Sequence, residues 1–278
     1  MTSQKKKTTF EKMVSIGNDS IIIDARKHLP ANPSHVAKKL CNRKNGIGAD
    51  QLIFLTNSKK ADFGMKVYNA DGSEATMCGN GIRGLARYIN DHKLSTKKLL
   101  NIETASGIKP LKIKGKNIEV DLGEPLMRGE DVPVNFSGRV VNRPLKIENK
   151  DFRITCLSVG NPHCIIFQDD LKSFDVCKFG PMIEASSIFP KKANISFVNV
   201  FGKNEIQIRV WERGVGESLG CGTAASAATI AGVLNGFTDR KVTVHFPGGK
   251  LEVTWDQKTN HVHLKGPAET VFSGEITL

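Results

Sequence analysis

Aromatic side chains are scarce here: they make up 6% of 278 residues, with only two tryptophans and two tyrosines. The basic residues, apart from Lys5–Lys7, are scattered among acidic ones. Both features argue against a basic groove interleaved with stacking rings, so nucleic acid is not an expected partner. No apolar run approaches the roughly 20 residues of a membrane helix, and the longest β-branched stretch, Ile21 to Ile23, is the length of a strand. No membrane partner is expected. The six cysteines form no C-x-x-C pair and no histidine stands at zinc-ligand spacing, so no metal is expected either. The opening Met1-Thr-Ser-Gln-Lys-Lys-Lys7 lacks the apolar centre of a secretory signal. The expected location is cytoplasmic, with the thiols reduced and available for chemistry.

What remains is ordinary for a globular chain: 39% hydrophobic and 24% charged residues, enough to bury a sizeable core in one large domain or two smaller ones. The net charge of +12 suits an anionic or zwitterionic small molecule.

The chain resembles itself at an offset of 143 residues. Ser15-Ile-Gly-Asn18 is echoed by Ser158-Val-Gly-Asn161, Gln51 falls on Asn194, Glu74 on Glu217, and Cys78-Gly79 on Cys221-Gly222. Farther along, Pro125 falls on Pro267, one residue nearer. Alternating apolar residues such as Ile206, Ile208 and Val210 read as half-buried strands. After Cys78, Ile82, Leu85, Ala86 and Ile89 have the spacing of one helical face. After Cys221, the run Ala224 to Leu234 is small and apolar nearly all round, as in a helix enclosed by sheet, and Asn235-Gly236 supplies a stop. Asn80 and Thr223 are good cap types, which puts each thiol just before a helix N-terminus.

A helix N-terminus favours negative charge, so a thiol there is expected to ionise readily and a carboxylate to dock beside it. If the two halves face each other, their thiols approach one substrate carbon from opposite sides. Inverting an α-carbon needs a base on one face, an acid on the other, and donors for the charge that builds on the carboxylate. Cys78 and Cys221 supply the first two, and the backbone N–H groups of Gly79, Asn80, Gly222 and Thr223 the third. Cys41, Cys156, Cys164 and Cys177 are read as small buried hydrophobes. Where the copies differ the site is asymmetric: Asn69 meets Glu212, Ala70 meets Arg213 and Ser20 meets His163. Arg213 suits a second carboxylate, Glu212 an ammonium group, and His163 could tune a nearby thiol.

The segments Asn69-Ala-Asp-Gly-Ser-Glu-Ala-Thr-Met-Cys-Gly-Asn-Gly81, Gly160-Asn-Pro-His163 and Glu212-Arg-Gly-Val-Gly-Glu-Ser-Leu-Gly-Cys-Gly-Thr223 closely resemble diaminopimelate epimerases. The resemblance runs from Lys12-Met13 to Gly274. It implies an α+β fold of two pseudo-symmetric halves, each a barrel-like, mainly antiparallel sheet around a central helix. The halves would be residues 1–121, rejoined by 268–278, and residues 122–267. It further implies a homodimer with Phe272 at the contact, and no cofactor. Carried over by motif, substrate-binding positions fall on Asn18, Gln51, Asn69, Gly79, Asn80, Asn161, Asn194, Glu212, Arg213, Gly222 and Thr223. The acid and base fall on Cys78 and Cys221, with His163 and Glu212 in support, and the substrate is a small amino acid.

Three departures stand out: Val14 and Ser20 in the entry segment, and Ala224 where the family commonly has glycine, a strained choice if that backbone needs positive φ. They keep open a racemase for another amino acid. A basic noncatalytic nucleic-acid binder, and a Cys78–Cys221 redox bridge, are the remaining alternatives.

Overall fold

The computed structural model describes residues 7–75 and 78–277. The chain divides into two compact units, one running to Val120 and rejoined from Gly266 onward, the other comprising Asp121–Lys265. Each is described in turn.

In the first unit the strands are β1 (Lys7–Ser15), β2 (Asn18–Asp24), β3 (Gln51–Thr56), β4 (Phe63–Asn69), the short β5 (Glu74–Ala75), β6 (Leu99–Thr104), β7 (Gly107–Lys114) and β8 (Asn117–Asp121). The helices are α1 (Pro33–Cys41) and α2 (Gly79–Asp91). Neighbouring strands pair antiparallel except β2 with β3 and β4 with β6, which run parallel. A parallel pair cannot be closed by a hairpin, and α1 and α2 are the crossovers that make these two pairings possible. The strands between them are buried on both faces, which accounts for the unbroken apolar runs Ile21-Ile-Ile23 and Leu52-Ile-Phe-Leu55. Ile21, Ile23, Leu52 and Phe54 pack with Ala37 and Leu40 of α1. Ile22 and Ile53 instead reach Gly84 and Gly81 of α2. At Gly81 a Cβ would come within 2.6 Å of Ile53 Cδ1, so glycine there lets the helix lie close against β3. Because α2 touches β1, β2, β3 and β7 alike, the sheet wraps around it.

The second unit repeats the order. Its strands are β9 (Val140–Ile147), β10 (Lys150–Ser158), β11 (Pro162–Phe167), β12 (Asn194–Gly202), β13 (Glu205–Glu212), β14 (Gly216–Ser218), β15 (Lys241–Phe246), β16 (Gly249–Trp255) and β17 (Val262–Pro267). Its helices are α3 (Val176–Glu184) and α4 (Gly222–Leu234). The parallel pairs are again β11 with β12 and β13 with β15. Both ends of α1 and α3, and of α2 and α4, stand 143 residues apart. The last strand, β18 (Glu269–Thr277), pairs antiparallel with β1, as β9 pairs with β10, so each unit gains an outer strand beside its first one.

The wrapped α4 is mostly Gly, Ala, Ser and Thr because small side chains let strands approach on every side, and Ala224 to Gly232 are buried without interruption. Its stop matches the sequence signal. Gly236 adopts φ +73°, and Phe237 N–H donates to Gly232 O, the bonding of a Schellman motif. Among the described residues no helix is long and apolar enough to cross a membrane.

Candidate functional site

Each half contributes a cysteine at the start of its wrapped helix. The caps are the cysteines themselves, Cys78 for α2 and Cys221 for α4, both in extended backbone, and not Asn80 and Thr223 as expected. The reason is local: each cysteine keeps extended backbone while the glycine after it is already helical, so the change of conformation falls at the thiol-bearing residue. Cys78 Sγ accepts from Gly81 N–H at 3.3 Å and stands 3.8 Å from Asn18 Oδ1. Among the described residues, nothing within 4 Å would meet a Cβ on Gly79.

Asn18 is held from behind by a charged network that sequence reasoning missed. Asp50 Oδ2 accepts from Asn18 Nδ2 at 2.9 Å and from Asp19 N–H at 3.1 Å, while Arg43 spans Asp19 and Asp50. Lys12, 7% exposed, forms an ion pair with Asp19 at 2.7 Å and also donates to Gly48 O. Despite partial burial, the bonds from Arg43 and Lys12 hold the Asp19 carboxyl well below the usual range. Asp50 thereby points the Asn18 amide nitrogen away from Cys78 and leaves its oxygen on the sulfur side. In the other unit the residues 143 positions on are Thr155, Pro162, Ser186 and Ala193, so this network belongs to one copy alone.

A second missed residue is Arg83, fully buried in α2. Its guanidinium donates to Gly79 O at 3.0 Å, Ser15 Oγ at 2.7 Å and Asn80 Oδ1 at 2.6 Å. It fixes the Asn80 side chain and places a positive charge beneath the helix start. Ser226, its counterpart, bonds to Gly222 O in the equivalent way, at 3.1 Å. No periodicity flags Arg83, because it falls just outside the apolar face that betrays the helix. Gln51 Nε2 donates to Asn69 Oδ1 at 3.1 Å, and Asn69 in turn donates to Ser73 Oγ. Gln51 Oε1 is buried with no partner among the described residues.

In the second unit, Cys221 is 7% exposed and its Sγ lies 3.4 Å from Thr223 Oγ1. Burial, reinforced by the negative charge of Glu212 hydrogen-bonded to it, pushes this thiol far above its ordinary pKa. The expectation of ready ionisation at a helix N-terminus is therefore corrected for Cys221: desolvation and a neighbouring carboxylate outweigh the helix dipole. His163 is fully buried. Its Nε2 lies 3.0 Å from Asn161 Oδ1, and its Nδ1 has no partner among the described residues. Desolvation, helped by the charge of Arg213, lowers its pKa to about 3, so the ring is neutral and acts as a wedge holding Asn161.

Asn194 is spent on the backbone, donating to Pro162 O at 3.0 Å and accepting from Arg213 N–H at 3.0 Å, which ties β11 to the turn after β13. The exposed Arg213 side chain donates to Lys191 O at 3.2 Å. Phe272, 45% exposed on β18, meets Phe10 edge-on with ring centroids 6.0 Å apart. Ala224 lies inside α4 and needs no positive φ, so alanine there is unstrained. Of the four cysteines read as buried, Cys41, Cys156 and Cys164 are so. Cys177 is exposed on the outer face of α3, with Sγ 3.5 Å from Glu217 Oε2.

The sequence pattern of the diaminopimelate epimerase family matches residues 10–127 and 155–271, covering both copies and both cysteines. The chain is similar to a diaminopimelate epimerase of Acetivibrio thermocellus, 43% identical over 275 residues, which are 97% of this chain and 98% of that one. It is also 43% identical to one from Agathobacter rectalis over 282 residues, with 97% and 99% covered. In fold it is similar to a phenazine biosynthesis protein of the PhzF family from Bacillus anthracis, with TM-score 0.74, 20% identity, and 98% and 100% of the chains covered. A hydroxyproline epimerase from Agrobacterium vitis has TM-score 0.72 at 10% identity, with 100% and 94% covered. The two cysteine-capped helices, the duplicated order of strands and the extended sequence match together place this chain in the diaminopimelate epimerase family.

Proposed function

We propose that this chain inverts one α-carbon of diaminopimelate, converting the LL form to the meso form for lysine and peptidoglycan precursor synthesis. The observation that carries the reading is the repeated cysteine at the N-cap of α2 and of α4, inside a chain of this family. One thiol group takes the α-proton as thiolate and the other gives a proton to the opposite face, a two-thiol exchange that needs no cofactor. Cys221, protonated at rest, starts as donor in one direction, and Cys78 as acceptor. Reversal exchanges them. Glu212, hydrogen-bonded to Cys221, receives or returns the thiol proton. The N-terminal amides Gly79, Asn80, Gly222 and Thr223 hold the α-carboxylate. Arg213 holds the distal carboxylate, and Asn18, Gln51, Asn69, Asn161 and Asn194 line the site, with His163 fixing Asn161.

A cytoplasmic homodimer belongs to the same reading. Phe272 and Val271, 45% and 57% exposed on β18, offer an apolar contact to a second copy. The test is turnover of LL-diaminopimelate in deuterated water, with chiral analysis of the product beside a panel of other amino acids. Deuterium at the inverted α-carbon is expected, and it should disappear in Cys78→Ala and in Cys221→Ala while the fold survives. Inversion retained in either variant refutes the two-thiol mechanism, and turnover of another amino acid alone refutes the substrate.

A further inference from the structure

In the antiparallel pair β10–β11, Cys156 stands opposite Cys164, and Ser158 opposite Pro162. The bonding at Ser158 fixes the character of the whole ladder. Its N–H donates to Leu126 O and its carbonyl accepts from Leu126 N–H, each at 2.8 Å, so both groups point away from β11. Pro162 has no N–H to offer in any case. Ser158 and Pro162 are therefore a non-hydrogen-bonded pair, and because the two kinds alternate with a period of two, Cys156 and Cys164 are another. Directly opposed residues of this kind have Cα atoms about 4.5 Å apart, the closer of the two spacings and within the roughly 4.4–6.8 Å that a disulfide spans. The Cys156 thiol is near enough to help raise the pKa of Cys164, and both are buried, 2% and 0% exposed.

The pair lies outside the proposed chemistry. It packs among Ile154, Ile166, Ile195 and Val176. His163, one residue before Cys164, points to the opposite face of the sheet. We infer that Cys156 and Cys164 form a modification site, a cross-strand dithiol that a peroxide closes to a disulfide.

The step balances. One thiolate attacks a peroxide oxygen, breaking the O–O bond and becoming a sulfenic acid as the first water leaves. The second thiolate then attacks that sulfur and expels the second water. Two thiols lose two electrons and two protons, and one hydrogen peroxide becomes two waters. The product encloses Val159, Gly160 and Asn161 in a covalent ring, fastening the turn that carries Asn161. Burial, together with the neighbouring Cys156, holds the Cys164 thiol well above its ordinary pKa, so the pair reacts slowly, after the exposed Cys177.

The test uses the full wild-type chain, exposed to hydrogen peroxide until Cys177 is fully oxidised and for graded times beyond. It is then quenched in acid, unfolded, alkylated, digested with trypsin and weighed. Arg153 and Lys172 bracket both cysteines with no lysine or arginine between, so they fall in one peptide, residues 154–172. That peptide is expected to lose two hydrogens and take no alkyl group, and after dithiothreitol to take two. In Cys156→Ala the same peptide should take one alkyl group at Cys164 throughout. The inference is overturned if the wild-type peptide still takes two alkyl groups, if either cysteine bridges to a different one, or if both pass to sulfonic acids with no internal bridge.

Discussion

His163 should make the stability of this protein fall between pH 8 and pH 5. A fully buried imidazole with a folded pKa near 3 binds no proton in that range, whereas in the unfolded chain it titrates near 6.5. Below 6.5 the unfolded state therefore binds more protons than the folded one, and folding weakens as pH falls. The contribution is whole above pH 6.5 and lost progressively down to about 3. At pH 5 the unfolded side chain is almost entirely protonated, which costs about 2 kcal/mol relative to pH 8; at pH 6 the cost is about 0.8 kcal/mol. The assay is urea unfolding at pH 8, 6 and 5 on the wild type and on His163→Gln, which keeps a polar group near Asn161. Six other histidines are common to both, including His261, whose pKa Asp121 raises and whose contribution has the opposite sign, so the difference between the profiles isolates His163. The variant's profile should be flatter by about 2 kcal/mol over that interval. Parallel profiles, or an imidazole resonance of His163 titrating near 6.5 in the folded protein, would refute the reasoning.

Asp50→Asn removes the carboxylate that orients the Asn18 amide; loss of one charge-assisted bond of about 1.5–3 kcal/mol predicts a roughly ten- to hundredfold fall in kcat with little change in KM. Steady-state kinetics would settle it, and an unchanged kcat would remove Asp50 from the positioning network. Glu212→Gln takes a negative charge from beside Cys221, so that thiol should react faster with iodoacetamide at pH 8, followed by peptide mass spectrometry; a slower reaction would contradict the assigned cause of its raised pKa. Lys93 holds φ +53° at the end of α2, and Leu94 N–H donates to Ile89 O in the same kind of stop that Gly236 makes for α4. Lys93→Gly should therefore stabilise the chain by about 0.5–1 kcal/mol in urea titrations, and a lower midpoint would show that the side chain contributes more than the backbone strain costs.

Much of the candidate site was legible because the chain carries its pattern twice. A single Gly-Asn or Cys-Gly is a weak signal, but Asn18 with Asn161 and Cys78 with Cys221 recur at one offset, and α2 and α4 begin and end at that same offset. The α4 stop at Asn235-Gly236 was readable since glycine alone reaches that backbone region freely. Asp50, Arg43 and Arg83 were not readable. Asp50 and Arg43 matter through Asn18 and Asp19, on a strand distant in sequence, and Arg83 joins its own helix start to the distant Ser15; each occurs in one copy only.

The sequence by itself determined the α+β class, the paired thiols and their position at two helix starts, since period, repeat and cap chemistry are local properties of a chain. The tertiary structure decided that the Cys221 thiol is held protonated, that the His163 ring is neutral, and that Cys177 is exposed. Protonation and exposure depend on what surrounds a group in space, and strands distant in sequence supply those surroundings.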